Sequence, residues 1–161
     1  MHIWLINNWE KNLNWSNKNY RTGLRLKFDK DVDPEVKRSC KEFAMWLRKE
    51  YFFPIRVPIY IKSTTYIKAS DGTKAYALFS RPDSFKYEPY VKIAAGDYGE
   101  KYKKWGKESA LTAILKDIAH ELTHYFQWIN GLELTSIGVE RQATQYSRYI
   151  LDEYAETRDH P

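Results

Sequence analysis

Residues 111–129 read LTAILKDIAHELTHYFQWI, and Leu111, Leu115, Ile118, Leu122, Phe126 and Ile129 recur along them at spacings of three and four. That period lays all of these side chains on one stripe of an α-helix. The pattern starts near Lys107 and ends at Asn130 and Gly131, residues that tolerate the left-handed backbone of a helix C-terminus. A helix over residues 107–129 is therefore expected. Inside it stands His120-Glu121-Leu122-Thr123-His124, the pattern H-E-x-x-H. Positions 120 and 124 lie about 40° apart and one turn above each other, so two imidazoles can reach one metal ion from a single helix face. Glu121 projects beside them. A carboxylate there can take a proton from a metal-bound water as it attacks a carbonyl, then pass it to the leaving nitrogen.

Working outward, Thr135 or Ser136 can cap a last helix in which Ala143, Tyr146, Ile150 and Tyr154 recur at helical spacing. Upstream, Leu24, Leu26 and Phe28 alternate with Arg25 and Lys27, which predicts a strand with one buried face over Leu24–Phe28. Asp33, Pro34 and Glu35 supply a cap, a preset first helical residue and a favourable charge for a helix to about Glu50, with Val36, Cys40, Phe43 and Leu47 on its apolar face. Residues 55–62 read as a strand in which Pro58 requires an edge or early position. Asp71-Gly72 marks a turn, and residues 75–79 and 90–95 are two further short strands of an antiparallel or mixed sheet. Residues 7–19 show no period. The fold class is α+β, with strands gathered in the first half and two helices closing the chain.

The 161 residues suit one domain, 1–161, with a core large enough to need no disulfide. Cys40 is the single cysteine, which excludes an intramolecular disulfide and a cysteine-based zinc finger. The opening MHIWLINNWEK is too short and too polar for a signal peptide or a membrane span, so a cytoplasmic protein without a membrane partner is expected. A net charge of +5 permits acidic or nucleic-acid partners. Its densest basic stretch, Lys101, Lys103, Lys104 and Lys107 with Tyr102 and Trp105 between them, has the composition of a single-strand binding surface, but so short a run more often marks a solvated loop or helix approach.

The stretch 107–156 resembles the zincin metallopeptidases, and among them the gluzincins, whose third zinc ligand is a glutamate on a following helix. The resemblance implies a small sheet over the active-site helix, a Zn2+ ion held by two histidines and a glutamate, and a catalytic water. It further implies zinc-dependent peptide-bond hydrolysis with Glu121 as the base, endopeptidase rather than exopeptidase action, and a substrate lying along a strand edge, here expected to be residues 90–95. Gln127 and Asn130 stand where metzincins carry Gly and a third His, which excludes that branch. Val139 and Thr144 depart from the thermolysin-like surroundings of the ligand glutamate, leaving Thr144 or Gln145 as candidates to support a histidine.

A catalytic zinc site needs three protein groups and one open position. Of Glu133, Glu140, Asp152, Glu153 and Glu156, Glu140 is the expected third ligand beside His120 and His124. Glu133 is too close to the first helix to fold back over His124, and Glu153 lies roughly 20 Å beyond Glu140 along one helix. Gly138 permits a close approach, and Ala143 leaves room for two helices to pack. The competing role for Glu140 is a solvent-facing residue in a first helical turn. His2 and His160 are the remaining histidines, and Arg141, Tyr146 and Tyr149 are candidates to stabilise an oxyanion. Two alternatives to the enzyme stand: a catalytically inactive zincin-fold binding module, with nucleic acid as a candidate partner, and a chance motif that binds no metal.

Overall fold

The computed structural model describes residues 1–13 and 21–161. The elements in chain order are α1 (Trp9–Asn12), β1 (Leu24–Phe28), α2 (Pro34–Glu50), β2 (Val57–Lys62), β3 (Ile67–Lys68), β4 (Lys74–Ala75), β5 (Ala77–Ser80), β6 (Tyr90–Ala94), α3 (Tyr98–Trp105), α4 (Lys107–Ile129) and α5 (Ser136–Ala155). The architecture is α+β with a mixed sheet. Of the aperiodic segment 7–19, Trp9–Asn12 forms α1, and 14–19 lies outside the described residues.

The apolar stripe read from residues 111–129 makes α4 the centre of the molecule: Leu111, Ile114, Leu115, Ile118, Ala119 and Leu122 are all buried. Four strands lie over it in the order β1-β2-β6-β5. β1, β2 and β6 run parallel, while β5 is antiparallel to β6. Parallel neighbours require a crossover, which α2 supplies between β1 and β2. Val57, Ile59, Ile61, Val91 and Ile93 are fully buried on the helix-covered face. On the other face Tyr60 meets Tyr90 edge-on at 6.1 Å, and Lys27 and Lys92 lie over these rings. That cover lets a largely parallel sheet show one side to water, which such sheets rarely do bare.

Several expectations need adjusting. Residues 55–62 yield a strand only from Val57, because Ile55 is held by Tyr125 instead. β2 is an interior strand, and it accommodates Pro58 at its second position, ahead of Ile59, the first residue paired with β6. The run 75–79 is split at Tyr76 between a two-stranded hairpin, β3-β4, and β5 of the main sheet. The basic stretch is divided: Lys101, Lys103 and Lys104 lie on a helix of their own, α3, and Lys107 opens α4 beyond Gly106, whose φ of 89° other residues rarely adopt. Asp33 caps α2 as expected, accepting from Glu35 N at 2.8 Å. Among the described residues no helix is long and apolar enough to cross a membrane.

Two contacts fix α4 against the rest. Trp4 donates its indole N–H to Thr123 Oγ1 at 3.1 Å and packs on Phe126, which ties the N-terminal segment to the rear of the helix. Tyr125, completely buried, donates its hydroxyl to Ile55 O at 2.6 Å and accepts from Ile55 N at 3.0 Å. Replacing Tyr125 by Phe strands both backbone groups of Ile55 in the core. We predict a loss of about 1–3 kcal/mol in unfolding free energy, read from urea denaturation. An unchanged midpoint would show that water replaces the hydroxyl without cost.

Candidate metal centre

α4 presents His120 and His124 on one face, their ring centroids 4.9 Å apart. α5 supplies the third group because its start is tightly set: Thr135 caps it, accepting from Gly138 N at 3.0 Å. A Cβ on Gly138 would sit 3.0 Å from that same Thr135 Oγ1. The glycine therefore makes room for the cap and not, as the sequence suggested, for a close approach of the chain beside Glu140. Ala143, fully buried, does let α5 pack closely on α4.

This packing brings the expected donors together. Glu140 Oε2 lies 3.1 Å from His120 Nε2, and its Oε1 lies 3.1 Å from His124 Nε2. All three ligand atoms fall within 4.8 Å of one another. Four ligands at zinc distances of about 2.0–2.1 Å in a tetrahedron stand about 3.3 Å apart, so the trio is already near the spacing zinc requires. Two imidazoles and one carboxylate are also a donor set suited to zinc. Glu140 is 64 % exposed, so the ligands open onto solvent on one side. Glu153, by contrast, accepts from Tyr51 Oη at 2.8 Å.

Beside the trio, Glu121 is buried, and that burial, reinforced by the charges of Glu140 and Asp117, pushes its carboxyl up to about 8. Burial and the neighbouring His124 lower His120 below the ordinary histidine value, which keeps it neutral and able to donate its lone pair at pH 7.

Gln127 is the supporting residue that sequence reasoning missed. Its amide nitrogen donates to Val139 O at 3.0 Å and to Gln142 Oε1 at 2.9 Å, which leaves its oxygen, 2.7 Å from His124 Nδ1, to accept. His124 must then carry a proton on Nδ1, which makes Nε2, the nitrogen facing Glu140, the one available to a metal. The spacing i to i+3 from His124 was the available signal. Thr144 and Gln145, the earlier candidates, are not the partners: His120 meets Glu140 and His124 meets Gln127, while Gln145 lines a separate hollow with His2 and Tyr149. Tyr146 Oη is engaged with Met1 O and Ile3 N. His2 sits among Tyr51, Tyr146 and Tyr149, and His160 pairs with Glu108 at 3.0 Å.

The centre lies in a cleft of about 550 Å³ whose walls come from β5, α4 and the start of α5. The strand beside it is β5. The expectation that residues 90–95 form a free edge is wrong, because β6 is paired with β2 on one side and with β5 on the other. Hydropathy marks a strand but not its neighbours. β5, carrying Ala77, Leu78 and Phe79 into the cleft wall, holds the edge position.

Comparison of the chain with protein-family models, with curated proteins and with solved structures finds no match. The functional reading therefore rests on the geometry of this centre.

Two outcomes follow from it. Gln127→Ala should weaken zinc binding about 10- to 100-fold with the circular dichroism spectrum unchanged, whereas Thr144→Ala should leave affinity as it is. Equal affinities for the Gln127→Ala and parent proteins would remove the supporting role. A carboxyl at about 8 is mostly protonated at pH 7, and a divalent cation at the adjacent ligands favours its ionised form. Zinc binding at pH 7 should accordingly release close to one proton more from the parent than from Glu121→Gln, by calorimetry in buffers of different ionisation enthalpy. Identical release would contradict the protonated state assigned to Glu121.

Proposed function

We propose that this protein is a zinc-dependent peptidase of zincin type. The observation that carries the reading is the convergence of His120 Nε2, His124 Nε2 and the Glu140 carboxylate beside a buried Glu121 in an open cleft. Zinc held by these three groups would polarise a scissile carbonyl and acidify a water molecule. Glu121 takes the proton of the attacking water and returns it to the leaving nitrogen, a role its position one residue after His120 suits. Gln127 keeps His124 in the tautomer that can bind metal. Substrate main chain adds to the free edge of β5, which supports action within a polypeptide.

The mixed sheet lying over the histidine-bearing helix, with a glutamate-bearing helix next, supports the zincin resemblance. The nucleic-acid reading gains no observation in its favour. Lys101 pairs with Asp97 at 3.2 Å and Lys107 with Glu35 at 2.9 Å, so half of the basic stretch is neutralised within the fold.

Glu121→Gln should retain one zinc per chain and the parent's melting behaviour while hydrolysis of a cleaved peptide drops by about 10²- to 10⁴-fold. Glu140→Ala should lose zinc at concentrations where Glu153→Ala keeps it. An active Glu121→Gln protein would sink the assigned base, and full zinc occupancy in Glu140→Ala would move the third ligand elsewhere.

A further inference from the structure

The cleft wall contains one charged side chain that the metal centre does not use. Arg81 lines the cleft, is exposed, and has no ion pair or hydrogen bond among the described residues. The other charged or titratable groups of the wall, His120, Glu121, His124 and Glu140, belong to the centre itself. Arg81 is not on a loose tether. Trp128, one turn beyond His124, donates its indole N–H to Pro82 O at 3.2 Å and packs against Phe85 with ring centroids 4.9 Å apart. The backbone next to Arg81 is thus clamped to the helix that bears the histidines.

Its place along β5 gives the residue a second distinction. Tyr76 O accepts from Ala94 N of β6, and in an antiparallel ladder inward and outward bonding alternate. Leu78 and Ser80 therefore bond to β6, and Ala77 and Phe79 turn their main-chain groups to the free edge. A substrate strand added there can pair as far as Arg81. It then meets Pro82, which has no N–H to offer. At the point where main-chain recognition ends, the chain presents a guanidinium, a planar fork of donors matched to a carboxylate. Arg141, adjacent to Glu140, is likewise exposed and without an ion-pair partner among the described residues, but it lines a neighbouring hollow, which leaves Arg81 as the cleft's own cation.

We propose that Arg81 is a specificity-determining residue that binds a carboxylate of the substrate, making acidic peptides the preferred substrate class. The proposal rests on the peptidase reading for its substrate and on the free edge of β5 for its placement. The carboxylate can come from an Asp or Glu side chain within the peptide or from the terminal carboxylate of a short one. Both fit the same fork.

The test uses the zinc-loaded full chain and a set of ten-residue peptides of neutral sequence. In these, Glu, Gln or Lys is scanned through each position, and the C-terminus is either free or amidated. Cleavage is followed by mass spectrometry. Binding to the zinc-loaded Glu121→Gln protein is followed in parallel by fluorescence anisotropy. The expected result is that Glu at one position, or a free terminus, raises kcat/KM or affinity about 10- to 100-fold over its neutral counterpart. In Arg81→Gln that ratio should fall towards one, and in Arg81→Glu it should invert in favour of a Lys-bearing peptide. Preference for Glu against preference for the free terminus tells the two sources apart. No carboxylate preference in the parent would overturn the proposal. So would an Arg81→Gln protein that keeps the full ratio while losing kcat equally on both peptides, since that is the behaviour of an oxyanion-stabilising group. Binding that depends on Arg81 without any cleavage would leave the carboxylate site standing and remove the peptidase reading instead.

Discussion

The centre depends on how α5 is held against α4. Two histidines one turn apart come from a single helix and need nothing else to face the same way. A third donor from a different helix must be delivered to within a few tenths of an ångström by packing alone. Ala143, Ser147, Ile150 and Tyr154 form the buried face of α5 that seats it. Thr135 sets where the helix begins. Gln127 then joins the two helices directly, bonding Val139 O one residue before Glu140 while accepting from His124. One side chain fixes both a ligand's tautomer and the register of the neighbouring helix.

The same arrangement carries an electrostatic tension. Glu121 and His120 are withdrawn from water on a helix that is otherwise the core of the molecule, and each is pushed towards its neutral form. A divalent cation reverses the preference at Glu121, since a positive charge nearby favours the carboxylate that a base must be. On the proposed function, metal binding and base activation would be coupled through the field at one site. Zinc bound to the folded chain and not to the unfolded one would also add to its stability by mass action.

Much of this was legible in the residues themselves. The helical period of residues 107–129, the metal-ligand pattern and the candidate Glu140 are local signals, readable from spacing. So were the Asp33-Pro34 start of α2 and a cap at Thr135 or Ser136, of which Thr135 serves. What escaped was everything set by pairing between distant segments. β6 reads as a short apolar strand whether it lies at an edge or between β2 and β5, and only the order of the sheet moved the free edge to β5. Gln127 escaped because an amide three residues after a histidine on a helix is as often a solvated side chain as a bridge. Its role required knowing that α5 passes overhead. Gly138 was noticed for the wrong reason, since the close atom is its own helix cap.

The account stands on one claim above the others, that His120, His124 and Glu140 jointly hold a zinc ion with a position left open. X-ray absorption at the zinc edge, on protein loaded with one equivalent, tests it most directly. The account predicts four nitrogen or oxygen ligands at about 2.0–2.1 Å, with the outer-shell scattering of two imidazoles, reduced to one in His124→Ala. A six-coordinate shell of oxygens without imidazole scattering, or a spectrum unchanged by His124→Ala, would contradict it.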